Sequence, residues 1–138
     1  MAIRNGKFQI NTRGFTDIID ITQKVKNEAY KHNLKDALVH VYVAGSTASI
    51  TAIEYEPGLV KDLPEALDRI APMNANYHHD ETWHDGNGHA HVRAAIIGNS
   101  FSVPIVEGAL QLGTWQQIVL IDFDNKPRVR NVTVQVLD

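Results

Sequence analysis

The stretch Thr114–Asp138, "TWQQIVLIDFDNKPRVRNVTVQVLD", decides the fold class. Its first part, "TWQQIVLIDFD", has the apolar run of a strand. Its last part, "RVRNVTVQVLD", alternates apolar and polar residues, which predicts a strand with one face toward a core. The intervening "NKP" predicts a turn. We therefore expect β-sheet to dominate this end of the chain.

Further strands are predicted on the amino-terminal side of this stretch. The segment Ala37–Ala44 is β-branched and alternating, and "SFSVPIVEG" with "ALQLG" predicts a hairpin around Glu107 and Gly108. Three other segments have extended patterns, the third after a small polar turn: "GKFQINT", "GFTDIIDI" and "GSTASITAIEYE". Strands therefore outnumber helices.

Helical spacing occurs in two segments. One helix is predicted from Thr22 to about His32, with Val25, Ala29 and Tyr30 on its inner face. The segment "LVKDLPEALDRIAP" is also helical in spacing, and its proline either kinks the helix or opens a second one. The segment "HAHVRAAIIG" fits a helix or a strand. We predict one α+β domain over residues 1–138, with a mixed, mainly antiparallel sheet and two or three helices.

Composition excludes several functions. The formal net charge is -3, which argues against a general electrostatic grip on nucleic acid. There is no cysteine, so a metal site would use His, Asp or Glu. The start, "MAIRNGKFQI", has no apolar signal core, and no window resembles a membrane span. We expect a cytoplasmic protein without nucleic-acid or membrane partners.

Five of the seven histidines fall within His78–His91, "HHDETWHDGNGHAH", which is predicted to be polar and turn-rich. Neutral imidazoles are good zinc ligands, and His89 and His91 would share one side of an extended chain but diverge on a helix. There are two alternatives to a zinc site. The histidines could lie on the surface without a function, or their imidazoles could bind an anion together with Arg93. Clustering on one polar segment favours a functional site.

Other segments offer weaker candidates, each with an ordinary structural alternative. Ser46 and Thr47 could cradle a phosphate or simply cap a tight turn. Glu54 could be a general base or the partner of a histidine, or a solvent-facing strand residue. Trp115 and Gln116 could stack on and read a heteroaromatic ring, or belong to a core or subunit interface.

Four blocks, taken in order, resemble the YjbQ family, an uncharacterised protein family also called secondary thiamine-phosphate synthase. They are "GSTASITAIEYEPG", "NYHHDETWHDGNGHAHVRAAIIGNS", "SVPIVEGALQLGTWQQIVLIDFD" and "RVRNVTVQV". The resemblance covers nearly the whole chain. It implies an α+β fold, a homotrimer with pockets near subunit contacts, and a secondary activity. That activity joins hydroxymethylpyrimidine diphosphate and thiazole phosphate with release of pyrophosphate.

The resemblance also implies the site residues. The catalytic set is His79, His91, Glu54 and Arg93, and a divalent metal, Zn²⁺ or Mg²⁺, would bind His79, His89 and His91. The phosphorylated substrate would contact Arg93, Trp115 and Gln116, together with Ser46 and Thr47, which the small polar turn suggests independently of the resemblance. Many members have a histidine where this chain has Gly45, so a three-histidine site needs another ligand. The rival hypothesis is a non-enzymatic trimeric binder of a phosphorylated small molecule or a metal ion.

Overall fold

The computed structural model describes residues 1–138 as eight strands and four helices. The strands are β1 (Ile3–Thr12), β2 (Asp17–Asp20), β3 (Ala37–Val43), β4 (Ala48–Ile53), β5 (Ser100–Val106), β6 (Ala109–Leu110), β7 (Gln117–Asp122) and β8 (Arg128–Leu137). The helices are α1 (Thr22–Tyr30), α2 (Pro57–Ile70), α3 (His78–Trp83) and α4 (Gly88–Ile97). None of the helices has the length and apolar character that crossing a membrane requires.

The strands form two sheets in which every pairing is antiparallel. The larger sheet has the order β1-β8-β3-β5-β6 and the smaller has the order β2-β7-β4. The α+β class and the predominance of antiparallel pairing are confirmed, whereas the expected parallel component is absent. The hairpin around Glu107 and Gly108 is also confirmed, because Val106 pairs with Ala109. The turn at residues 125–127 connects the two sheets, since β7 and β8 belong to different ones.

Strand β7 is buried on both faces, which explains its unbroken apolar run. Ile118 and Leu120 belong to a core cluster shared with α1 and the large sheet. Val119 and Ile121 point the other way, into a second cluster with Leu67 of α2. The second cluster also contains Ile18, Ala90, Ala94 and Phe123. The smaller sheet thus lies between the larger sheet on one side and α2 and α4 on the other.

The helices differ from the sequence-based expectation in number and in placement. There are four rather than two or three, because the histidine-rich stretch contains α3 and the beginning of α4 instead of a turn-rich loop. The ambiguous "HAHVRAAIIG" segment is helical. Pro64 lies inside a single continuous α2. In α1, Val25 and Ala29 are buried as predicted. Tyr30 is exposed instead, and its hydroxyl accepts a hydrogen bond from the Leu110 N–H.

Candidate functional site

A cavity of about 460 Å³ opens between the turn before β4 and the middle of α4. Gly45 and Ser46 line it from the turn, His91 and Ala95 line it from the helix, and Asn99 closes it beyond the helix end. The wall therefore carries an imidazole, a hydroxyl and an amide beside small residues. These are groups that can bind a polar ligand without excluding it by bulk.

His79 of α3 and His91 of α4 meet beside this cavity. Their ring centroids are 4.0 Å apart and the ring planes are inclined by 35°. The two short helices are tied together where α4 begins, because the Gly88 N–H donates to Oδ1 of Asp80 over 2.9 Å. The loop between the helices is anchored to the β7–β8 turn by Asn125, whose side chain donates to the carbonyl of Asp85 over 2.7 Å.

The His79 ring faces two carboxylates. Its Nδ1 lies 3.6 Å from Oδ1 of Asp80 and 3.5 Å from Oδ1 of Asp85, and it is buried without a hydrogen-bond partner. Burial, followed by the neighbouring His79 ring, lowers the pKa of His91 below its ordinary value. One potential ligand atom from each of His79, Asp80 and Asp85 lies within 4.8 Å of the others. This donor set of imidazole and carboxylates suits Zn²⁺.

His89 does not join the other two imidazoles. Residues two apart on a helix point in nearly opposite directions, so the helical form of α4 separates His89 from His91. The His89 side chain is buried, and the backbone of Gly86 and Phe123 lies beside its ring nitrogens. Burial and, secondarily, the Arg93 charge lower the pKa of His89. The structure thus leaves His89 outside the group formed by His79, Asp80 and Asp85.

Arg93 lies on the same helix face as His89 and points away from the cavity. Its guanidinium donates to the Ala71 carbonyl over 2.9 Å, to Oγ1 of Thr16 over 2.9 Å and to Oδ1 of Asp68 over 3.1 Å. The expected convergence of Arg93 with Ser46 and Thr47 is therefore not observed. The contacts of Arg93 fasten α4 to α2 and to the loop after β1.

A different arginine, Arg130 of β8, lies beneath the turn. Its Nε and Nη2 donate to Asp122 over 2.7 and 2.9 Å, and Nη2 also donates to Oγ1 of Thr47 over 2.6 Å. Thr47 in turn donates to Oδ2 of Asp124 over 2.9 Å. Because Thr47 is buried and fully engaged, it fixes the turn, and Ser46 is left as the exposed hydroxyl.

Asp124 completes this network beside the histidines. Burial raises its pKa, but the hydrogen bond from Thr47 and the nearby side chains of Asn87 and Arg128 outweigh burial and lower the pKa overall. Its Oδ1 is buried and makes no hydrogen bond. Sequence reasoning missed Arg130 and Asp124. For Arg130 the one available signal was a charged residue at an inward position of the alternating β8 pattern, whereas Asp124 follows β7 and had no such signal.

The remaining candidates lie at the opposite end of the smaller sheet. Thr47 precedes β4 and Glu54 follows it, so the six residues of the strand separate them by about 20 Å. Gln116 and Trp115 precede β7 at the Glu54 end, because Gln117 pairs with Ile53. Glu54 is exposed, and Trp115 is 72% exposed. Within one chain, these three residues do not reach the cavity.

Comparisons with known proteins agree on one family. Residues 6–138 match the family described as UPF0047 protein YjbQ-like. A UPF0047 protein of Archaeoglobus fulgidus is 38% identical over 128 residues, which cover 93% of this chain and 97% of the relative. The UPF0047 protein YugU of Bacillus subtilis is 31% identical, with 94% and 96% covered.

Two solved structures share the whole fold. A YbjQ-like protein of unknown function from Sulfolobus solfataricus superposes with a TM-score of 0.92 at 31% identity, covering 99% of this chain and 97% of the other. A hypothetical protein from Aeropyrum pernix superposes with a TM-score of 0.90 at 33% identity, covering 97% and 98%. These relatives carry no assigned activity in their descriptions.

Proposed function

This chain belongs to the YjbQ-like UPF0047 family, and we propose that it is an enzyme acting on a phosphorylated small molecule in the cavity beside His91. The specific reaction is the thiamine-phosphate synthase reaction that the family resemblance implies. The observation that carries the proposal is the approach of the His79 and His91 rings to 4.0 Å at the edge of a cavity with an exposed hydroxyl.

The reaction asks the protein to stabilise a leaving group rather than to supply a nucleophile. The C–O bond between the pyrimidine methylene carbon and the diphosphate breaks, and the electron pair leaves with pyrophosphate. The thiazole nitrogen then forms the new C–N bond to that carbon. Ser46 would donate a hydrogen bond to the departing diphosphate, and His91 would donate a second one as negative charge grows.

The donor set beside the cavity fits a divalent metal. His79, Asp80 and Asp85 offer one nitrogen and two oxygens within 4.8 Å of one another, and Nδ1 of His79 is buried without a hydrogen-bond partner. One ring nitrogen of His91 would be a fourth ligand, since its ring lies against that of His79, and the N–H of the other would remain the donor to the diphosphate. A bound divalent ion would supply Lewis-acid stabilisation of the diphosphate charge. In this proposal His89 and Arg93 position α4 instead of binding the metal or the substrate.

The test is product formation by purified protein given both precursors and Mg²⁺. We expect thiamine phosphate above a heat-denatured control, and a loss of at least about a hundredfold in His91→Ala, in the range for removing one donor to a developing charge. His40→Ala is the matched control, since His40 lies on the outer face of the large sheet and contacts Ser102. Equal product with native and denatured protein refutes the synthase reaction.

A trimeric binder without catalysis is the second candidate, and the exposure of Trp115 favours it. In a homotrimer, the end of one chain that carries Glu54, Trp115 and Gln116 would lie over the cavity of the next chain and complete a pocket. Native mass spectrometry of untagged protein tests this candidate. A trimer that retains a phosphate ester or a stoichiometric metal but shows no turnover supports the binder over the enzyme.

A further inference from the structure

We propose that Arg130 is an oxyanion receptor in this cavity and that Gly45 keeps its free guanidinium nitrogen open to the ligand. The ligand class is a phosphate or diphosphate group. The proposal rests on the proposed function for the location of the site, and it adds a residue that the family resemblance did not supply. It assigns to Arg130 the anion contact that the sequence suggested for Arg93.

One terminal nitrogen of the Arg130 guanidinium, Nη1, makes no hydrogen bond within the protein. Three N–H bonds of the guanidinium are used from Nε and Nη2, toward Asp122 and Thr47. Nη1 is not among the polar atoms sealed from solvent, although the whole residue is 8% exposed. A buried and rigidly held guanidinium with an accessible, unused nitrogen is organised to donate to an anion.

Gly45 controls the approach to this nitrogen. A Cβ at position 45 would come 2.8 Å from Nη1 of Arg130, so any side chain there would clash with this nitrogen. The backbone φ of Gly45 is 122°, a conformation that favours glycine. The same glycine lines the cavity next to Ser46 and opposite His91. Arg130 itself is not part of the cavity wall, so an anion would reach Nη1 through the space that the missing Cβ of Gly45 leaves, next to the Ser46 hydroxyl and the His91 imidazole.

The buried charges beneath the turn are paired, and the other carboxylates that act on His91 are Asp80 and Asp85. Asp122 pairs with Arg130, and Asp124 pairs with Arg128 over 3.1 Å. Two cations balance two carboxylates, so the buried network does not present an uncompensated negative charge beneath the turn. Arg93 does not supply the contact, because its guanidinium points away from the cavity, toward Thr16, Asp68 and Ala71.

The experiment is calorimetric titration of metal-free protein with inorganic pyrophosphate. We expect saturable binding by the wild type and a loss of roughly tenfold to a hundredfold in Gly45→Ala, the range for losing one charge-assisted hydrogen bond. Gly108→Ala is the matched control. Gly108 also has a positive φ, 83°, but no atom lies within 4 Å of an added Cβ. Its affinity should equal that of the wild type.

A second variant is needed if Gly45→Ala is destabilised, with a melting temperature well below that of the Gly108→Ala control. Arg130→Lys keeps a cation beside Asp122 but removes Nη1, and it should weaken pyrophosphate binding by a similar factor. If Gly45→Ala or Arg130→Lys is folded and its pyrophosphate affinity is within twofold of the wild-type affinity, the proposal is overturned. It is also overturned if the wild type binds no pyrophosphate at millimolar concentration. Pyrophosphate binding without synthase activity instead refutes the reaction and leaves the receptor standing.

Discussion

Replacing Asp122 with alanine will leave a buried arginine without its counter-charge, and we expect the whole fold to lose stability. Asp122 is completely buried, and its carboxylate accepts two bonds from Arg130. It also accepts from Oγ1 of Thr12 over 2.6 Å and from the Asp124 N–H over 3.0 Å. One side chain thus joins the far end of β1 to β8 and to the loop after β7.

The expected cost follows from burial on both sides of the pair. The Arg130 side chain is 9% exposed and that of Asp122 is 0% exposed, so solvent screens neither charge. Removing one partner of such a pair costs about 3–5 kcal/mol of unfolding free energy. The double variant Asp122→Ala with Arg130→Met removes both charges of the pair, so neither is left buried without its partner. We expect this double variant to cost less than the two single variants together, by on the order of 1–3 kcal/mol.

Urea unfolding followed by circular dichroism measures these differences, provided that the m-values agree. Arg13→Gln is the matched control, because it breaks an ion pair with Asp17 from a side chain that is 89% exposed. It should change the unfolding free energy by less than about 0.5 kcal/mol. An Asp122→Ala protein within about 1 kcal/mol of the wild type would show that the pair is not a structural centre.

Three further outcomes test the site and the assembly. After dialysis, zinc should remain in His89→Ala but be lost from His79→Ala and His91→Ala; equal loss in all three would restore His89 as a ligand. In metal-free protein, the lowered pKa of His89 means that the unfolded chain, with a pKa near 6.5, takes up the proton first as pH falls. The stability is therefore complete above about pH 7 and declines as the pH drops through 6.5, and His89→Gln should decline less than the wild type between pH 7 and pH 5. In native mass spectrometry, the wild type should form the proposed trimer and Trp115→Ala should reduce the trimer fraction; an unchanged trimer would place the interface elsewhere.

Periodicity predicted the strands well because it reports burial directly. The alternation in β8 matches its pattern of buried valines, and the apolar run of β7 matches a strand covered on both faces. The sheet to which each strand belongs was not predictable from the same residues. A turn such as Asn125–Pro127 reverses the chain whether it joins paired strands or crosses between sheets, and only long-range packing decides between the two.

The helix α4, Gly88–Ile97, shows where local signals fail. Its first residues fit a strand as well as a helix, and the choice determines whether His89 and His91 share a side. In the helix, Ala90 and Ala94 lie on one face and pack against the cluster that contains Phe123, so tertiary burial decides the conformation. The same choice turns Arg93 away from the cavity. The approach of His79 to His91 depends on how α3 docks on α4, for which the sequence has no periodic signature.

The departure at Gly45 acquires a physical meaning from the position of Arg130. According to the resemblance, many members have a histidine at this place, and here the space holds a guanidinium nitrogen instead. A side chain at position 45 and the present position of Nη1 exclude each other at 2.8 Å. On the proposed function, this chain would exchange one potential metal ligand for one anion donor. Its cavity should bind metal with fewer imidazoles than a three-histidine site and hold the phosphate more directly, which makes pyrophosphate in metal-free protein the more discriminating probe of this chain.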